Sequence, residues 1–158
     1  MNEVKPIKKV QKKEKDYLFS VGRRKSAVAR VRLYEKVKAD AVWGTTPIVK
    51  GEILVNEKPI ADYFGGDIAR HAYSEPLRIT NAHQQQFAFT VKVEGGGPAG
   101  QLQALIAGIS NALNKLDREQ YRPILKKKGF LTRDARVRQR RKVGTGGKAR
   151  RQKQSPKR

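Results

Sequence analysis

Cysteine is absent from all 158 residues, and with it go disulfide frameworks, thiolate metal sites and cysteine nucleophiles. The same absence fits a reducing compartment. Acidic side chains are scarce: 14 Asp and Glu stand against 36 Lys and Arg, a formal net charge of +22. No apolar run approaches the roughly 18–20 residues of a membrane span, so no membrane location is expected. Residues 1–15, MNEVKPIKKVQKKEK, lack both the apolar stretch of a secretory signal and the Arg- and Ser-rich pattern of a transit peptide. Apolar residues make up 37% of the chain, enough for a core in part of it but not throughout. The length suits one domain, by the usual span of roughly 100–200 residues. A soluble, intracellular, strongly basic protein is expected, with a polyanion to neutralise its charge.

That charge is unevenly spread. Residues 1–125 carry 21 basic and 13 acidic side chains, whereas residues 126–158 carry 15 basic and one acidic. The last stretch has only Phe130, Leu131, Val137 and Val143 as large apolar residues. Alone it cannot bury enough surface to offset its ordering entropy. Extended, it reaches on the order of 100 Å at about 3.3 Å per residue. Residues 1–15 hold six Lys without an apolar cluster and read as a second basic arm. Three parts are expected: a flexible basic arm (1–15), a globular domain (16–125) and an extended basic tail (126–158).

Within the domain, Ala27, Ala29, Val31 and Leu33 alternate with Arg30, Arg32 and Tyr34, a strand with one buried and one basic face. Phe87, Phe89, Val91 and Val93 repeat the pattern. Tyr17–Val21 and Ile53–Val55 read as shorter strands, the second stopped by the turn-like Asn56-Glu57-Lys58-Pro59. Leu102, Leu105, Ile106, Ile109, Ala112, Leu113 and Leu116 follow helical spacing. Gly108 lies inside that helix, which points to close packing there. A weaker helix is expected over Tyr63–Tyr73, with Asp62 and Asp67 suited to capping and dipole positions. A short helix is expected with Pro123 in its first turn and Gly129 ending it. The fold class is therefore α+β: a small mixed sheet with helices packed on one face. Glu35–Lys50, with Trp43, Gly44 and Pro47, breaks the alternation and reads as an extended loop or a hairpin extension.

Gly95-Gly96-Gly97-Pro98-Ala99-Gly100 follows a strand and opens a helix. It has three readings: a tight turn, a backbone cradle for RNA phosphate, and a dinucleotide fingerprint. The third is disfavoured, because too little chain follows to complete a doubly wound sheet, and the acidic residues Asp117 and Glu119 fall at the end of a helix. Val143–Ala149 lacks the Ser or Thr of a phosphate loop after Lys148 and reads as a basic linker. Arg23-Arg24-Lys25 continues through Arg30 and Arg32 as a cationic ridge, and Arg133–Lys142 packs six cations into ten residues. Arginine pairs bidentately with phosphate and stacks on bases, so a nucleic-acid partner is favoured. Tyr17, Tyr34 and Tyr121 are read mainly as structural, with base stacking as the lesser alternative. His71 and His83 have no matching carboxylates, and no catalytic constellation, metal site or cofactor is expected.

Several of these segments together resemble the small-subunit ribosomal protein nine family in its bacterial form. They are Gly22–Leu33 (GRRKSAVARVRL), Ile53-x-Val-Asn56 with Lys58-Pro59 and Tyr63-Phe64, Val91–Gly97 with Gly100-Gln101, and Leu125–Arg136 (LKKKGFLTRDAR). The resemblance covers about Tyr17 to Arg158, apart from the Ala39–Lys50 insertion. It implies a structural, non-enzymatic constituent of the small ribosomal subunit, cytoplasmic and ribosome-bound. The implied partners are the 3′ major domain of the small-subunit rRNA, neighbouring proteins of the subunit head and the peptidyl-site tRNA, with no independent homo-oligomer. A free nucleic-acid chaperone is the alternative that charge alone permits. The expected rRNA contacts are Arg23, Arg24, Lys25, Arg30, Arg32, Gly95, Gly96, Gly97, Lys126, Lys127, Lys128, Arg133, Arg136, Arg138, Arg140, Arg141, Lys142, Lys148, Arg150 and Arg151. Lys157 and Arg158 match the family's terminal pair, expected at the tRNA. Gly146-Gly147 loosens the tail, and Pro156 interrupts its usual ending.

Overall fold

A computed structural model describes residues 16–37, 41–82, 87–141 and 143. The expected arm at 1–15, His83, and the tail positions Lys142, Lys148, Arg150, Arg151, Lys157 and Arg158 lie outside the described residues.

Alternation builds the first hairpin. β1 (Leu18–Arg24) pairs antiparallel with β2 (Ala27–Tyr34) around the turn Lys25-Ser26, where Lys25 adopts a left-handed φ of 52°. Ala27, Ala29, Val31 and Leu33 are fully buried, as the period of two requires. After β2 come the two-residue strands β3 (Val42–Trp43) and β4 (Thr46–Pro47), which form a separate hairpin in the stretch that breaks the alternation. β5 (Ile53–Val55) and β6 (Lys58–Pro59) enclose Asn56 and Glu57, both at positive φ, the backbone of a type I′ turn. α1 (Ile60–Tyr63) and α2 (Asp67–Ile79) lead back to β7 (Ala88–Glu94), which lies parallel to β5 and antiparallel to β2. The sheet order is β1-β2-β7-β5-β6. α3 (Pro98–Leu116) crosses β1, β2 and β7, and α2 and α4 (Arg118–Lys127) pack against α3.

The core therefore lies between one sheet face and the helices. It joins Val31, Leu33, Phe89 and Val91 to Leu105, Ile109, Leu113 and Leu125, all within 1% of complete burial. Each such side chain contributes on the order of 1.5–3 kcal/mol. α3 approaches β1 at two glycines: a Cβ on Gly22 would overlap the Ala104 carbonyl, and one on Gly108 would come within 2.6 Å of Val31 Cγ2. The close packing expected at Gly108 is present, and the Ser20 hydroxyl donates to the Gly108 carbonyl at 2.6 Å. Asn111 and Lys115 of α3 donate to the Val21 and Phe19 carbonyls, satisfying acceptors on the edge strand.

Three helix expectations need correction. The weaker helix is two helices, α1 and α2, broken around Gly66 at φ 94°, and the second runs past Tyr73 to Ile79. Asp62 and Asp67 occupy first turns, where the dipole favours them, but neither caps a helix. Pro123 sits inside α4, because the Asp117 carboxylate accepts from Gln120 N–H at 3.0 Å and starts the helix earlier. Gly129 does end α4: at φ 77°, with Gly129 N–H on the Lys126 carbonyl and Phe130 N–H on the Leu125 carbonyl, it forms a Schellman cap. Phe130 and Leu131 then pack against the core.

The sheet's second face is divided. Leu54, Ala88 and Thr90 lie on it yet are buried, as is Ile48 from the β3–β4 stretch. Thr46 of that stretch donates to the Glu57 carbonyl at 3.0 Å, which holds the extension over the β5 end. Among the described residues the β1–β2 end stays open, with Phe19 and Arg23 exposed.

Candidate nucleic-acid interface

On the open end, register places Phe19, Val21 and Arg23 beside Arg32, Arg30 and Val28, and these beside Thr90, Lys92 and Glu94. Four cations, Arg23, Arg30, Arg32 and Lys92, share this surface with one carboxylate. Glu94 accepts Arg30 at 2.8 Å and Lys92 at 2.9 Å. The Lys92 hydrogen bond, with the charge of Arg30 beside it, holds the Glu94 carboxyl below the usual range. Arg32 lies over the Tyr17 ring at 5.0 Å, and Tyr17 meets Tyr34 at 5.7 Å between centroids. Tyr121 is 7% exposed, so its ring is not available for stacking on a base. Burial, with the charge of Asp117 nearby, pushes its hydroxyl pKa up.

The single ridge expected from Arg23 through Arg32 is split by strand alternation. Arg23 points to the open face and is exposed; Arg24 turns to the other side and is half-buried. There its guanidinium donates to Gln103 Oε1 at 2.7 Å and to the Arg136 carbonyl at 2.8 Å, and meets the Asp134 carboxylate at 3.1 Å. Arg136 holds the same carboxylate at 2.7 Å. These bonds, chiefly those from Arg136, drive the Asp134 carboxyl far below the ordinary aspartate range and raise the Arg136 guanidinium in turn. Arg23 and Arg133 line grooves of about 170 and 210 Å³ between β1, α3 and the root of the tail.

Other expected contacts fall at three further places. Lys25 is exposed at the β1–β2 turn. Lys126, Lys127 and Lys128 are exposed at the C-terminus of α4, where the helix dipole favours positive charge. Arg133, Arg138, Arg140 and Arg141 are exposed on chain without helix or strand.

The glycine turn has its own geometry. Gly95 and Gly96 take φ of 74° and 66°, and added Cβ atoms there would press on Ser26 and Ala27 of the first hairpin. Tight packing thus accounts for these two glycines. Gly97, the N-cap of α3, is exposed with nothing near its missing side chain. A hydrogen-bond chain holds this turn: Asn56 pairs with both the N–H and carbonyl of Val93 and donates to the Tyr63 hydroxyl, which donates to Gln101, which donates to the Gly95 carbonyl. After α3 the described chain continues into α4 and not into another parallel strand, so the dinucleotide reading has no sheet to occupy.

Two participants escape a sequence reading. Lys92 is masked as an ordinary alternating position; Gln103 carries no signal until α3 and β1 are docked. Asp134 does carry one, as the single acid among the last 33 residues.

The model of the family described as Ribosomal protein S9/S16 matches residues 22–158. The small ribosomal subunit protein uS9 of Maridesulfovibrio salexigens is 45% identical over 133 residues, covering 84% of this chain and 91% of that protein. The protein of the same name from Leifsonia xyli subsp. xyli is 41% identical over 125 residues, covering 79% of this chain and 66% of the other. With the motif segments falling on the β1–β2 hairpin, the β5–β6 turn, the glycine turn and the end of α4, this chain belongs to the ribosomal protein S9/S16 family.

Proposed function

We propose that this protein is a structural constituent of the small ribosomal subunit, cytoplasmic and ribosome-bound, that holds rRNA of the subunit head. It is not an enzyme; its family is one of structural ribosomal proteins. The observation that carries the proposal is the family match, which extends through the basic tail to residue 158. The exposed cations at Arg23, Lys126–Lys128 and Arg133–Arg141 support it. Arginine and lysine there would neutralise phosphates of the 3′ major domain, and Gly97 at the start of α3 offers backbone N–H groups to another. The tail extends toward the peptidyl-site tRNA, with Lys157 and Arg158 as its contacts, and neighbouring head proteins complete the surroundings.

Titration of the full chain with a head-domain rRNA transcript tests this reading. With about six to ten phosphates neutralised, affinity falls about 10³-fold or more between roughly 50 and 200 mM salt. Equal affinity for any single-stranded RNA of the same length would move the protein to the class of free nucleic-acid chaperones. Deleting Lys157 and Arg158 leaves incorporation into subunits intact and weakens tRNA holding slightly. A failure of that variant to enter subunits would contradict the assignment of the pair to tRNA.

A further inference from the structure

We infer that Arg24 is a positioning residue that clamps the root of the basic tail to the domain and sets the tail's exit direction before RNA is bound. All three guanidinium nitrogens are engaged within the protein: one on Gln103 of α3, one on the Arg136 and Asp134 carbonyls, one on the Asp134 carboxylate. Its side chain is only 13% exposed. Two of these bonds go to backbone carbonyls, so they fix the path of the chain and not merely one side chain. The Schellman cap at Gly129 and the docking of Phe130 and Leu131 deliver the chain to this point.

Asp134 makes sense on the same account. An acid in a segment of 15 cations weakens its hold on a polyanion, unless the acid serves inside the protein. A local turn with Arg136, whose N–H bonds Asp134 Oδ1 at 3.0 Å, explains the carboxylate but not the carbonyls held by Arg24. With its root held, the chain leaves Arg136 from a defined origin, which lowers the ordering cost on binding.

The natural chain has no cysteine, so Val137→Cys, at a site 68% exposed, carries a single nitroxide label. In the free full-length protein the label broadens amide signals of α3 around Gln103. Arg24→Gln and Asp134→Asn each lose most of that broadening while β1–β2 cross-strand contacts persist. Asp134 lies outside every helix and strand, so its variant remains decisive if Arg24→Gln unfolds. Undiminished broadening in Asp134→Asn, or in a folded Arg24→Gln, overturns the clamp. A second readout rests on the ribosomal reading. Toward the head rRNA transcript, Arg24→Gln binds about three- to tenfold more weakly with an unchanged salt slope, whereas Arg23→Gln lowers the slope by about 0.9. A lowered slope for Arg24→Gln makes it a phosphate contact and overturns the inference. Lost broadening without any RNA binding leaves the clamp standing and removes the ribosomal reading instead.

Discussion

Residues 27–34 and 133–141 are both rich in arginine, and the molecule treats them in opposite ways. In β2 every second residue is apolar and buried, and its arginines find partners on the sheet: Glu94 for Arg30, the Tyr17 ring for Arg32. In 133–141 five arginines accompany one acid, no helix or strand forms, and among the described residues Asp134 and the Arg136 carbonyl bind the chain back to the domain. The difference is one of pattern more than composition. Alternating apolar residues give a segment surface to bury, and its charges are then ordered as a consequence. Where the alternation is missing, the charge remains for a partner outside the chain.

Several changes break or sharpen this contrast. The largest concerns the basic tail: deleting residues 137–158 lowers affinity for head rRNA by about a thousandfold near 0.1 M salt. Its melting, followed by circular dichroism, stays within about 0.5 kcal/mol of the full chain. On the packed side Gly22→Val drives a side chain into the Ala104 carbonyl and the Gly108 backbone. Denaturant unfolding then loses about 3 kcal/mol or more. Asn56→Ala removes the bridge from the β5–β6 turn to Val93 and Tyr63. It costs about 1–3 kcal/mol in the same measurement and raises amide exchange at the glycine turn.

The smallest effect is one of pH. The Asp134 carboxyl is held far below its ordinary range, first by Arg136 and then by Arg24. Its pairing is therefore complete above the ordinary aspartate range and lost only as pH falls through the lowered value. At about pH 4, where a free aspartate is half protonated, the spin label on Val137→Cys still broadens α3. Release of the root at that pH would place the carboxyl outside the clamp.

Much of the domain is readable in the chain because local patterns and global packing agree there. β2 and β5 begin and end where alternation and the Asn56-Glu57 turn put them. The main helix follows its apolar spacing, and Gly108 marks the close approach to the sheet. Disagreement arises where a tertiary or capping effect overrides local preference. Pro123 is carried inside α4 because Asp117 caps one turn earlier, and α2 continues through Pro76 because Tyr73, Pro76 and Leu77 are buried. The candidate interface is legible as charge but not as geometry. Arg23 and Arg24 are neighbours in the chain, yet pleating sends one to the open face and the other to Gln103 and the tail root. No spacing rule foretells that α3 brings Gln103 there. The lone Asp134 is the trace the arrangement leaves in the sequence.

Sedimentation through a high-salt sucrose cushion tests the central claim most directly, by following where this chain goes in a lysate. The account predicts that it stays with small subunits after loosely held basic proteins are washed away. Recovery in the free fraction, with subunits intact, would contradict it.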